Sequence, residues 1–370
     1  MMAVVERNAI QTILRDLPRL QPATPTILRS NEILIVSSGF EDRALAFGHY
    51  YRSDGARAIQ LDYLPYDSRN RVQDVAAQLE ANGFASTPIT FDRFRPDPYE
   101  AQLVQLLSDA YRIIIDASAM SKLAILLTLH TCTKLADNVG IFYAEAETYG
   151  PSEQEYLNAK ATSALHQPSI QLYTGVHGVL RVPALASVAM QGQPSAAIAF
   201  MSFNEFLTQA LLDCVYPSRL FLINGRPPRL RWREEAMYWI HEQLIREWPS
   251  EDNPLIPSGE QLLPARVTST LEYTETVTEL LYLYWTLAAD YRILIGPSGS
   301  KMQTLATFMV KAMHPDVHIE YPTPKGFLDL YSQGIADAWV VDFPRLSAML
   351  AELRLRERRR IIEQQLPQAG

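Results

Sequence analysis

Two hydrophobic spacings alternate along this chain. Short β-branched runs such as Ile33–Val36, Ala58–Leu64 and Pro88–Phe91 read as strands. Longer segments with apolar positions three and four apart follow them: Ala44–Tyr51, Arg69–Asn82 and Tyr99–Ser108. The alternation predicts βαβ units and a parallel sheet. One stretch occurs twice. Residues 111–122 read Tyr-Arg-Ile-Ile-Ile-Asp-Ala-Ser-Ala-Met-Ser-Lys, and residues 291–301 read Tyr-Arg-Ile-Leu-Ile-Gly-Pro-Ser-Gly-Ser-Lys. Each is an apolar run, a break into small and hydroxylated residues, then a long apolar segment, Leu123–Leu135 or Met302–Met313. A further apolar run follows both, Val139–Tyr143 and Val317–Tyr321.

The rest of the second half keeps the same order. Ala196–Met201 matches the first strand, Arg219–Ile223 the second, Arg233–Glu247 the second helix and Glu272–Ala288 the third. The expected fold class is α/β, with two tandem Rossmann-like parallel-sheet units related by internal duplication. The expected segments are a helical lead-in over 1–30, unit 1 over 31–150, a linker over 151–194, unit 2 over 195–343 with a last strand at Ala338–Phe343, and a C-terminal helix and tail over 344–370. Chance similarity between ordinary βαβ units is the alternative.

The chain has 370 residues, of which 48% are hydrophobic, so it can bury a sizeable core. A formal charge of −8 argues against general duplex-DNA binding. Cys132 and Cys214 are too few for a disulfide framework, and the seven histidines show no ligand spacing. No cofactor is expected. Neither a signal peptide nor a membrane-spanning run is evident, so a cytoplasmic protein without membrane contact is expected.

Ligands of doubly wound sheets bind at the carboxyl ends of the strands. There Ser37, Ser38, Glu41 and Arg43 face Asp116, Ser118 and Lys122 in the first unit. Ser202 and Asn204 face Gly296, Ser298, Gly299, Ser300 and Lys301 in the second. A helix N-terminus behind hydroxyls and a lysine suits a phosphate, although a strand-to-helix turn with capping serines has the same composition. The glycines of the second turn favour it as the stronger phosphate site, because Asp116 and Met120 suit an anion less well. The spacing is not that of a Walker P-loop, since Ser300 separates Gly299 from Lys301. Glu145 and Glu147 share one face of a strand end, as paired catalytic carboxylates would, although an exposed strand end looks the same. Arg226–Arg233, with four arginines around Trp232, could receive a polyanion or be a solvated loop.

Gly296–Met302 (Gly-Pro-Ser-Gly-Ser-Lys-Met) resembles the small-residue, Gly-Thr-Lys-x-Met turn after the fourth strand of CRISPR-associated Rossmann-fold (CARF) domains, and Asp116–Lys122 is similar to a degenerate version of it. The tandem arrangement resembles SAVED sensors of antiphage systems, in which two such domains are fused. The resemblance implies a nucleotide-derived ligand, a nucleotide or short oligonucleotide, held by Ser298, Gly299, Ser300 and Lys301, with Ser37, Ser38, Ser202 and Asn204 opposite. It covers the two units in architecture but only one motif in detail. Pro297 and Ser298 depart from the usual Thr-Gly portion, and the first copy lacks glycine. No nuclease or helix-turn-helix pattern follows, so an effector or other protein partner is expected to read out binding. A nucleotide- or nucleoside-processing enzyme using Glu41 or Glu145, and a noncatalytic scaffold, are the alternatives.

Overall fold

The computed structural model describes residues 7–136, 138–164, 170, 172–247, 266–328 and 331–365. The chain forms two compact units. The first comprises residues 18–150 and 329–349; the second comprises 1–17, 151–328 and 350–370.

In the first unit, β1 (Glu32–Ser37), β2 (Arg57–Leu64), β3 (Ala85–Asp92), β4 (Arg112–Asp116) and β5 (Asn138–Ala144) form a parallel sheet in the order β3-β2-β1-β4-β5. Ile33–Val36 and Ile113–Ile115 are all at most 1% exposed. Strands covered on both faces have no polar side to show, which is why they read as unbroken apolar runs. On one face Leu34, Val36 and Ile114 pack with Phe47, Val75, Leu79 and Phe142.

The second unit repeats this order. Here β6 (Ser195–Phe200), β7 (Arg219–Arg226), β8 (Arg266–Ser269), β9 (Arg292–Gly296) and β10 (His318–Ile319) form a parallel sheet ordered β8-β7-β6-β9-β10. The registers agree as well. Ile33 lies opposite Ile113 and Arg57, and Ala196 lies opposite Ile293 and Arg219. The two Tyr-Arg-Ile strands thus hold equivalent places, as expected from the repeat. Shared topology is distinct from shared ancestry, because this order is common among doubly wound folds.

Several boundaries differ from expectation. Ala338–Phe343, expected in the second unit, runs antiparallel to β5 in the first sheet, and Gln21–Pro22 pairs with its outer edge. Periodicity cannot show which sheet an isolated strand will join. Ala44–Tyr51 is a 3-10 turn, Asp42–Leu45, followed by one helical turn, Phe47–Tyr50, and then a strand from Tyr51. Arg233–Glu247 is two helices, Trp232–Ile240 and Glu242–Glu247. The 151–194 segment contains the helix Glu153–Ala161 and the strand Val176–Leu180, which pairs with Tyr321–Pro324. The C-terminal helix spans Leu346–Gln365, and the expected tail beyond it lies outside the described residues.

Candidate functional site

The turns after β1 and β4 meet at the carboxyl edge of the first sheet. A Cβ at Gly39 would stand 2.9 Å from the Ala119 Cβ and 3.0 Å from its carbonyl oxygen, so only glycine allows this approach. Around it gathers a buried charged cluster. Arg43 is 3% exposed; its Nε donates to Glu41 Oε2 at 2.7 Å, and its Nη2 lies 2.6 Å from the same oxygen. Nη1 lies 3.4 Å from the Tyr143 hydroxyl, the Ala144 carbonyl and the Tyr149 hydroxyl. Burial opposes the guanidinium charge, but Glu41 and the phenols more than offset it, and the Arg43 pKa lies well above its ordinary value. The Ser332 hydroxyl also donates to Glu41.

Lys122 opens the helix Lys122–Leu135, and Ser121 caps it by accepting from the Ala124 N–H at 3.3 Å. Lys122 is partly buried and makes no hydrogen bond or ion pair to any described residue. Burial and the Arg43 charge lower its pKa to about 8, against the pull of Glu41. Asp116, 2% exposed, accepts from the Ser118 N–H at 2.8 Å, and the Ser118 hydroxyl accepts from the Ala144 N–H at 2.8 Å. Tyr63 accepts from the Ser121 N–H at 2.7 Å, and burial raises the pKa of its phenol. The Ser37 hydroxyl faces that phenol. The Ser38 hydroxyl is fully buried and has no hydrogen-bond partner among the described residues.

The equivalent edge of the second sheet is built differently. Ser300 and Gln303 form a capping box for the helix Lys301–Met313: Ser300 Oγ accepts from the Gln303 N–H at 3.1 Å, and Gln303 Oε1 accepts from the Ser300 N–H at 2.7 Å. Ser300 Oγ also donates to the Thr270 carbonyl at 2.8 Å, and the Ser298 hydroxyl donates to the Phe200 carbonyl. A Cβ on Gly299 would meet Gln303 Oε1 at 2.2 Å and Phe200 Cβ at 2.9 Å; one on Gly296 would meet Leu211 Cδ2 at 2.2 Å. Both glycines make room for the protein's own side chains. Asn204 is a neutral N-cap, accepting from the Phe206 N–H at 3.0 Å, while Ser202 accepts from the Asn204 N–H at 3.2 Å.

The other candidates are dispersed. Glu145 accepts from the Trp339 indole at 3.0 Å, whereas Glu147 is exposed. In the arginine segment Arg226 pairs with Glu275 at 2.8 Å, Trp232 stacks on Tyr156 at 5.5 Å, and Arg233 lies 4.0 Å over the Phe203 ring. Only Arg229 and Arg231 of its arginines are exposed, so no continuous basic stripe forms. Thr323 and Pro324, which follow the last strand of the second sheet, pair with Val176–Leu180. Among the described residues no group of three or more His, Cys, Asp or Glu could hold a metal ion, and no helix is long and apolar enough to cross a membrane. Sequence reasoning missed Tyr63 and Ser332. Tyr63 carried a signal in its place at the end of the second strand; Ser332 carried none.

No protein-family profile and no curated protein matches the chain. Among solved structures it is similar to a candidate Zn-dependent alcohol dehydrogenase from Rhodobacter sphaeroides, with 12% identity over 45% of this chain and 58% of that one at a TM-score of 0.22. The chain therefore spans little more than half the length of that protein. It is also similar to a functionally unknown protein from Pseudomonas aeruginosa PAO1, with 10% identity over 89% and 97% of the two chains at 0.22. A phosphoethanolamine N-methyltransferase from Haemonchus contortus shares 8% identity over 90% of each chain, also at 0.22. Likeness this slight brings no chemistry to the chain.

Proposed function

We propose that this protein binds a nucleotide or short oligonucleotide at the carboxyl edge of the first unit's sheet, and works as a cytoplasmic sensor whose state is read by a protein partner. The resemblance to CARF and SAVED domains extends the proposal to antiviral defence. One observation carries the binding reading. Lys122 stands at a helix N-terminus without a counter-ion in contact, near the buried Arg43 guanidinium. A partly desolvated ammonium is costly unless an anion joins it, and a phosphate would also meet the helix dipole. The second turn, ranked first on composition, is capped by its own Ser300 and Gln303. Glu41 is held by Arg43 and Ser332, which disfavours it as a nucleophile or base.

The test is mass spectrometry of small molecules released from purified protein, followed by titration with adenosine 5′-monophosphate and a short oligoadenylate. The expected result is a co-purified nucleotide, or saturable binding that Lys122→Ala weakens. Binding insensitive to Lys122→Ala would remove the site from this turn. Turnover of either compound would favour the enzyme alternative.

A further inference from the structure

The loop after β2 lies against the turn after β1, where the Arg71 N–H donates to the Gly39 carbonyl at 3.3 Å and the Arg71 side chain pairs with Asp42. Within this loop Asp67 holds Arg69 from several sides. Its Oδ1 accepts from the Arg69 N–H at 3.0 Å and from Nε at 2.9 Å, and its Oδ2 accepts from Nη2 at 2.6 Å. A bidentate carboxylate fixes the guanidinium plane. That plane lies 5.0 Å over the Phe40 ring, and Phe40 in turn meets Tyr331 edge-on at 6.4 Å. The Arg69 side chain remains 33% exposed. Tyr66, in the same loop, is 73% exposed, so its ring is open to a ligand.

We propose that Arg69, mounted on Phe40 and flanked by Tyr66, is a stacking platform for a nucleobase. This deepens the nucleotide reading and rests on it. Guanidinium planes and aromatic rings both stack on unpaired bases. Phe40 immediately precedes Glu41, so the platform adjoins the Glu41, Arg43 and Lys122 cluster through continuous chain. In this proposal the phosphate at Lys122 and the ring on Arg69 belong to one nucleotide. Stacking is tolerant of base identity, because every base has a π-face.

Three probes separate the platform from the phosphate site: adenosine, adenosine 5′-monophosphate and ribose 5-phosphate, each titrated by calorimetry or ligand-observed NMR. Arg69→Ala should weaken adenosine and the monophosphate on the order of 5- to 100-fold, and leave ribose 5-phosphate unchanged. Arg69→Lys should behave like Arg69→Ala, since an ammonium keeps the charge but has no plane. Tyr66→Ala removes an exposed ring without threatening the fold, and should weaken the same two probes by a smaller factor. Monophosphate binding that depends on Lys122 but not on Arg69 or Tyr66 overturns the platform and leaves the nucleotide reading standing. Adenosine binding that depends on Arg69, with monophosphate binding indifferent to Lys122, keeps the platform and removes the phosphate site. If none of the three probes binds the unaltered protein, both proposals fall.

Discussion

The turns after β4 and β9 hold equivalent places in two sheets of the same order, and they solve the same problem in opposite ways. Each must end a buried strand and start a helix whose first N–H groups have no partner within it. The second turn closes on itself: Ser300 and Gln303 satisfy each other, and Gly299 lets Phe200 and Gln303 fill the space. The first turn is one residue longer, from Asp116 to its cap Ser121, and its cap has no reciprocal partner, because Ala124 stands where Gln303 stands in the second. It leaves Lys122 without a counter-ion in contact and sits beside the buried Arg43–Glu41 pair. Glycine content therefore does not by itself mark an open turn. A turn rich in glycine and serine can be a completed cap, while a turn that keeps an unsatisfied charge has reason to meet a ligand.

The largest test of this contrast concerns stability. Glu41 and Asn204 each stand eight residues after the paired Ile33 and Ala196, one ionised and paired, the other a neutral cap. Removing one partner of a buried ion pair strands the other and costs about 3–5 kcal/mol. Arg43→Ala should lower stability by that order, read by denaturant unfolding. Asn204→Ala should cost only about 1 kcal/mol, as for a lost N-cap. Equal losses would mean that the Arg43–Glu41 pair is no more than another surface contact.

Ligand affinity comes next. Lys122→Ala should weaken adenosine 5′-monophosphate by about 10- to 100-fold, the range expected for a charge-assisted contact worth about 1.5–3 kcal/mol. Lys301→Ala should change it little. Titration of both variants, each shown to be folded, decides the ranking. A greater loss at Lys301 would restore the order that composition suggests.

Composition ranks the two turns by residue type and the structure separates them by how each cap is satisfied, and the contrast shows where sequence is informative. The strands were legible because burial on both faces leaves an unbroken apolar signature, as at Ile113–Ile115 and Ile293–Ile295. The third strand of the second sheet, Arg266–Ser269, was missed: it is short and polar except for Val267, with only Thr268 and Ser269 buried. The positions of Ser37, Arg43, Asp116 and Lys122 at one sheet edge follow from strand order alone. Their roles do not, since pairing depends on groups remote in the chain. Ser332 reaches Glu41 across 291 residues, and Arg43 finds Tyr143 and Tyr149 about a hundred residues on. The capping box at Ser300 was local and could have been read from Gln303 three residues later.

Protonation offers a finer contrast. Burial lowers Lys122 in the first unit and Lys311 in the second to about 8. Lys311 donates to the carbonyls of Ala186, Pro315 and Val317 at 3.2, 2.8 and 2.7 Å, whereas Lys122 has no such partners. Between about pH 8 and the free-lysine value of about 10.4 the unfolded chain binds more protons than the folded one, so stability should rise with pH in that window through both residues. Phosphate affinity should fall over the same range, and only through Lys122, because a phosphomonoester with a second pKa of about 6 is already dianionic there. From pH 7 to 9 the loss for adenosine 5′-monophosphate should be about tenfold, given one group titrating near 8. Lys311→Met should keep that dependence and Lys122→Met should abolish it. Titrations at several pH values check both.

The smallest expected difference lies in the caps themselves. An N-cap serine replaced by alanine typically costs about 0.5–2 kcal/mol. Ser300 satisfies the Gln303 N–H, donates to the Thr270 carbonyl and belongs to a reciprocal box, so Ser300→Ala should fall in the upper half of that range. Ser121 makes one capping bond of 3.3 Å, and its own N–H is taken by the Tyr63 phenol, so Ser121→Ala should fall in the lower half. The substitutions also diverge when phosphate is added. Any anion seated at the first turn supplies an acceptor for the N–H groups that Ser121 leaves open. Millimolar phosphate should therefore recover part of the stability lost in Ser121→Ala, by mass action on the folded state alone, and recover none in Ser300→Ala. Thermal unfolding of both variants with and without phosphate, at constant ionic strength, measures this directly. Equal recovery in the two would mean that phosphate acts on the whole surface, and the distinction between an open turn and a closed one would lose its energetic basis.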